Sequence, residues 1–166
     1  MLALHKTFGL SRLRPHWRHT MINYQSTLGT SDKYNESADC AVKALAIACN
    51  QPYIKVHAIM ASKGRTNRGG TYLHQYMAAL AALNHTATVV PKTTGKTISS
   101  LHKQLDPNKK YIIEVSGHLL AYAKGNIEDW TGLDDRKPSR RRVERILEIL
   151  PNLSKNAIRK AARYSK

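Results

Sequence analysis

Apolar and polar positions divide the chain into blocks of different period. A polar stretch over residues 24–37, rich in Ser, Thr, Gly, Asp and Asn, leads through Ala38 and Asp39 into residues 40–50, where Lys43 is the only charge. This reads as a loop feeding a helix that is apolar nearly all round, the kind that lies at the centre of a domain rather than on its surface. Cys40 falls on its first turn. After Pro52 a second helix is expected over residues 54–62, then a polar loop over 63–70. A third helix is expected over 72–83, with Leu73, Tyr76, Met77, Leu80 and Leu83 on one face.

The period then changes. Residues 87–90 read as a short strand, Thr97 as the cap of a helix reaching residue 105, and Asp106-Pro107-Asn108 as a turn. Residues 111–115, 119–123 and 127–130 alternate with polar or glycine breaks and predict three strands, with a hairpin turn at Lys124-Gly125-Asn126. Helices first and an antiparallel sheet after them predict an α+β fold. From Pro138 the chain is expected to return to helix: residues 140–150 are amphipathic, 151–153 form a turn, and Ser154 caps a basic helix to about residue 164. Two short helices so joined read equally as a helix-turn-helix or as a solvated basic tail.

Charge divides the chain in the same way. The net charge is +16, from 27 Lys and Arg against 11 Asp and Glu, which favours contact with polyanions. Residues 1–20 hold +4 with no acid and residues 133–166 hold +7, so the centre is an ordinary globular composition between basic appendages. The expected organisation is a basic arm over 1–29, disordered or upstream of the true start, a body over 30–132, and a basic helical tail over 133–166. In that tail Arg136, Lys137, Arg140, Arg141, Arg142 and Arg145 are the candidate phosphate contacts. The first 20 residues lack the apolar core of a secretory signal and fit an upstream extension better than an organellar targeting peptide. With no apolar run of membrane-spanning length, a cytoplasmic protein without membrane contact is expected.

Candidate chemistry is sparse. Cys40 and Cys49, if both lie on one helix, stand roughly 13 Å apart along its axis on opposite faces and cannot pair. No CxxC or HExxH spacing occurs, so the expected chemistry needs no metal and no cofactor. Gly95-Lys96-Thr97 lacks the glycine that a phosphate-binding loop needs where Val90 stands, and reads as a turn and cap. The loop holding Arg65, Arg68, Gly69 and Gly70 reads as a flexible solvated turn before it reads as a cradle for phosphate or the wall of a substrate cleft. His57, His74, His85 and His102 receive no role.

A thiol is a useful nucleophile only as thiolate, and a helix N-terminus favours the negative charge. That selects Cys40 over Cys49. Farther on, His118 opens one strand and Asp129 closes the next. If Lys124-Gly125 is a two-residue hairpin loop, Asp129 lies opposite Leu120, on the face of His118 and one diagonal step away, while Glu128 points to the other face. A carboxylate there can hold the imidazole.

The loop ending in Asn35 and Cys40, the apolar helix behind it, and the later Gly117-His118 with Asp129 after a glycine turn together resemble the papain-like cysteine peptidase superfamily. The resemblance covers about residues 30–132, and its style is that of small domains of this kind encoded by bacteriophages. It implies a central N-terminal helix packed on an antiparallel sheet, with Cys40 attacking a carbonyl, His118 moving the proton and Asp129 orienting the ring. The family's second oxyanion donor is a side-chain amide, usually Gln, a few residues before the nucleophile. Asn35 is the residue so placed here, and Gln25 is reachable only by a fold of the chain. Two functions compete: a thiol hydrolase or acyl transferase acting on peptide or isopeptide bonds, and a nucleic-acid-binding protein that works through the basic tail.

Overall fold

The computed structural model describes residues 22–101, 103–129 and 140–152. Four helices come first: α1 (Tyr24–Lys33), α2 (Cys40–Cys49), α3 (Tyr53–Ser62) and α4 (Leu73–Ala82). Then follow β1 (His85–Val89), a single helical turn α5 (Ile98–Leu101), and strands β2 (Tyr111–Val115), β3 (His118–Ala123), β4 (Asn126–Glu128) and β5 (Val143–Pro151). The strands form one open antiparallel sheet in the order β1-β5-β2-β3-β4, so the fold is α+β. No helix among the described residues is long and apolar enough to cross a membrane.

Eight of the ten residues of α2 are buried, as its unbroken apolar run requires. The helix lies on β3, where Leu119, Ala121 and Ala123 face it together with Ile112, Leu147 and Ile149, and α3 and α4 close over its back with Val56, Met60, Tyr76 and Leu80. The opposite face of the sheet packs Ile113, Leu120, Tyr122 and Ile146 under Ile98, Leu101 and Leu105. Burying the sheet on both faces makes its central strands apolar on both sides, which hides the period of two.

Three expectations are corrected. Residues 24–33 are helical, not loop: Asn23 caps the helix in a reciprocal capping box with Ser26, and its inward face buries Thr27 and Ser31 rather than large apolar groups. A helix whose buried face is small and polar carries no apolar stripe. Because α1 crosses residue 29, the expected boundary between arm and body falls inside a helix, and the Tyr24 N–H donates to Glu128 of β4 at 2.8 Å. The helix expected after Thr97 stops at Leu101.

The third correction concerns residues 140–150, which form no helix. Val143–Pro151 is a strand lying between β1 and β2, so the body extends well past residue 132. Its pairing with β2 shifts at Glu114: Arg145 stands opposite Glu114, but Val143 stands opposite Val115, leaving Glu144 as an extra, bulged residue. The bulge inverts the inside-outside phase, so Val143 and Ile146 face one core while Leu147 and Ile149 face the other. An apolar spacing of three and then one imitates a helix stripe, and this is why the segment reads as amphipathic helix in sequence. The basic helix expected from Ser154, and Arg136 and Lys137, lie outside the described residues.

Candidate active site

Two tight turns and one helix start bring the chemistry together. Gly117 at φ +67° turns β2 into β3 and sets His118 as the first residue of β3. Lys124 at φ +52° and Gly125 at φ +80° form the two-residue loop between β3 and β4. The resulting register pairs Ala121 with Glu128, which puts Asp129 one step beyond β4 at the position opposite Leu120. From there Asp129 Oδ1 lies 3.0 Å from His118 Nε2, with the carboxylate 4% exposed. The other ring nitrogen, Nδ1, is free of Asp129, and Cys40 lines the same cleft near enough for thiol and imidazole to shift each other's protonation.

Electrostatics follow from the contacts. Burial alone would push the Cys40 thiol up, but the hydrogen bond to His118 and those from the Leu119 and Ala41 backbones hold it below the ordinary range. Hydrogen bonds to Asp129 and Cys40 raise His118 to about 9. The two shifts run in the direction of a thiolate beside an imidazolium. Cys49, at the far end of the same helix, is pushed up to about 12 by burial.

The N-terminus of α2 is open because its N-cap residue is occupied elsewhere. Asp39 makes no side-chain cap bond. Its carboxylate instead accepts from Ser31 Oγ at 2.6 Å, Tyr53 Oη at 2.7 Å and Lys43 Nζ at 2.9 Å. The first-turn amides are thus left to a thiolate or to an oxyanion. A second polar cluster holds the same loop from outside: Glu36 takes a two-pronged bond from Arg65 at 2.7 and 3.0 Å, His57 Nε2 at 2.8 Å and the Arg68 N–H at 2.9 Å. Arg65 is 4% exposed, so the loop over residues 63–70 is a strut and not a free turn, and its end, Gly70 with Thr71, lines the cleft.

The cleft measures about 670 Å³ and is walled by α2, the start of α4, the β2–β3 turn and the bulge of β5. It gathers Cys40, His118 and Asp129. It does not gather Asn35, which is exposed in the turn after α1 at φ +50°, a left-handed position that suits Asn at a helix end. Gln25 is also exposed, on the outer side of α1. Tyr24 lines the cleft instead, its hydroxyl pushed up to about 12 by burial and by the charges of Asp129, Asp39 and Cys40. Sequence spacing did not point to Tyr24, Asp39 or Glu128; a capped helix before the nucleophile was the missing signal.

Of the candidate phosphate contacts, three described arginines are engaged with the body. Arg141 donates to the Ser116 carbonyl at 2.6 Å, Arg142 to the Gly95 carbonyl at 2.7 Å, and Arg145 Nε stands 3.0 Å from Glu114. Arg140 is exposed. No family model, curated protein or solved structure matches the chain.

Proposed function

We propose that the protein is a thiol hydrolase of papain-like type, cleaving peptide or isopeptide bonds through Cys40, His118 and Asp129. The observation that carries the reading is the His118–Asp129 hydrogen bond at 3.0 Å beside a thiol of lowered pKa at an open helix N-terminus. Cys40 as thiolate attacks the carbonyl carbon, and its proton already sits on the imidazole. The oxyanion forms against the first-turn amides of α2, with the protonated Tyr24 hydroxyl as the cleft's candidate side-chain donor in place of Asn35. His118 then passes its proton to the leaving amine, the amine departs, and the acyl group remains on sulfur. Water, deprotonated by the now neutral imidazole, releases the acid and restores the thiol. Asp129 keeps Nε2 bonded, so that Nδ1 stays aimed at the sulfur.

The test is alkylation of the folded protein with a limiting amount of iodoacetamide, read by mass. Cys40 is expected to label at least tenfold faster than Cys49, Cys40→Ala to fold and lose the fast label, and an acyl adduct on Cys40 to accumulate with an activated ester. Equal labelling of the two cysteines would remove the reading.

A further inference from the structure

The N-terminus of α1 is completed by a distant strand. A helix leaves its first amides without partners, and a carboxylate there is favoured by the helix dipole as well as by the hydrogen bond. No acidic residue stands in the first turn of α1. Asn23 takes the Ser26 N–H at 2.8 Å, and the Tyr24 N–H, at the first helical position, goes to Glu128 Oε2 at 2.8 Å across 104 positions of sequence. β4 therefore supplies the acid that the helix itself lacks.

That bond joins two parts of the cleft. Tyr24 and Glu128 both line it, and Glu128 directly precedes Asp129, whose carboxylate holds His118. The Tyr24 ring lies under Lys43 Nζ, 5.6 Å from the ring centroid, and that ammonium is bonded to Asp39 at 2.9 Å. Tyr24 is thus fixed by its amide to the strand that leads to Asp129 and by its ring to the helix that begins at Cys40. Burial and the charges of Asp129, Asp39 and Cys40 raise its hydroxyl to about 12, so near neutral pH it is a donor. A second tie, from the Ile22 N–H to Asn50 Oδ1 at 2.9 Å, anchors the chain ahead of the helix. Loss of the Glu128 bond would therefore loosen Tyr24 without detaching α1.

We propose that Glu128 is a positioning residue of the site: by capping α1 from β4 it holds the Tyr24 hydroxyl where the oxyanion forms. One bond then aligns the oxyanion donor with the strand that carries Asp129 to His118. The inference rests on the hydrolase reading for the oxyanion, but the placement of Tyr24 by Glu128 would hold even if Cys40 did no chemistry.

The experiment pairs turnover with a reaction that needs no oxyanion. Glu128→Ala, Glu128→Gln, Tyr24→Phe and the double variant Tyr24→Phe with Glu128→Ala are compared in kcat and KM on a fluorogenic peptide amide, and in the rate at which iodoacetamide alkylates Cys40. Tyr24→Phe is expected to lower kcat about a hundredfold, as loss of one oxyanion donor does, and Glu128→Ala about tenfold, with KM and the alkylation rate unchanged in both. The double variant is expected to be no slower than Tyr24→Phe, because Glu128 acts through the hydroxyl. Glu128→Gln keeps an acceptor oxygen and is expected to recover most of the rate. Losses that multiply in the double variant, or alkylation that slows together with turnover in Glu128→Ala, would overturn the proposal and spare the hydrolase. If the intact protein cleaves no amide, the hydrolase reading falls and the placement is read by fluorine NMR of fluorotyrosine-labelled protein, with the Tyr24 signal identified by its loss in Tyr24→Phe. That signal is expected to shift on alkylation of Cys40 in the intact protein and in Glu128→Gln but not in Glu128→Ala. The same shift in Glu128→Ala, or none in the intact protein, would overturn the placement.

Discussion

Two histidines in this molecule bond to buried carboxylates at nearly the same distance, and of the two only His118 lines the cleft. His57 Nε2 lies 2.8 Å from Glu36 and His118 Nε2 lies 3.0 Å from Asp129. The carboxylates differ in their remaining partners. Glu36 already carries the two-pronged Arg65 and the Arg68 N–H, so its charge is spent on binding one loop to another. Asp129 has no cation comparable to Arg65 among the described residues, and its charge works on the imidazole. The surroundings of the rings differ as well: His57 packs against Tyr34 and Tyr53, whereas His118 meets a thiol at the wall of a cleft. A histidine–carboxylate pair becomes chemistry only where the second nitrogen has something to deprotonate.

Mutations should break the two pairs in different currencies. Replacing His118 by Ala is expected to leave the fold intact and lower kcat/KM about a thousandfold, the scale of general acid–base catalysis, as read with a fluorogenic amide. Unchanged turnover would transfer the proton work to another group. Glu36→Ala should act on stability instead. It strands Arg65, whose side chain is 1% exposed, and is expected to cost about 3 kcal/mol or more in urea unfolding.

Asp129→Asn ranks next, keeping the shape but removing the charge that holds the ring. About a hundredfold loss in kcat is expected with little change in KM, since a ring free to turn spends less time aligned on the sulfur. A change confined to KM would instead make Asp129 a substrate contact. Alkylation of Cys40 by iodoacetamide as a function of pH should show the coupled pair directly. Its rate is expected to rise at a pH below that of an ordinary thiol and to show a second step near pH 9 as His118 loses its proton.

Stability offers the finest contrast. His118 is raised from 6.5 to about 9, so its contribution to folding is complete below about 6.5 and lost as pH rises through about 9. Burial opposes the ionised Glu36, but hydrogen bonds from Arg65, His57 and Arg68 outweigh it and draw its pKa from 4.5 to about 2. Its contribution is present above about 4.5 and disappears as pH falls through about 2. Unfolding followed across pH should therefore lose stability at both ends, with His118→Ala flattening the alkaline limb alone and Glu36→Gln the acid limb alone.

Local rules were enough for the elements whose stability is local. The apolar run of α2 made it a central helix, and the glycine turn at Lys124-Gly125-Asn126 marked a hairpin which, closed as a two-residue loop, has the register that carries Asp129 to His118. The strand expected from Leu119 begins one residue earlier, at His118, directly after the Gly117 turn. None of these depends on what the rest of the chain does, because helix burial, turn type and strand alternation are written in adjacent residues. The α+β class follows from their order.

Distance along the chain marks where sequence reading stopped. The strand character of β5 depends on β1 and β2 pairing on either side of it, and the bulge at Glu144 gives it a helix-like apolar spacing that only the sheet resolves. The helix α1, polar on both faces, is held by its cap and by Glu128, which lies 104 positions away. Asn35 was placed near the nucleophile by sequence separation, but its left-handed turn leaves it exposed, and Tyr24 reaches the cleft from farther back. Pairing partners, buried ion networks and the walls of a cleft are long-range contacts, so their residues acquire meaning only when the chain has closed on itself.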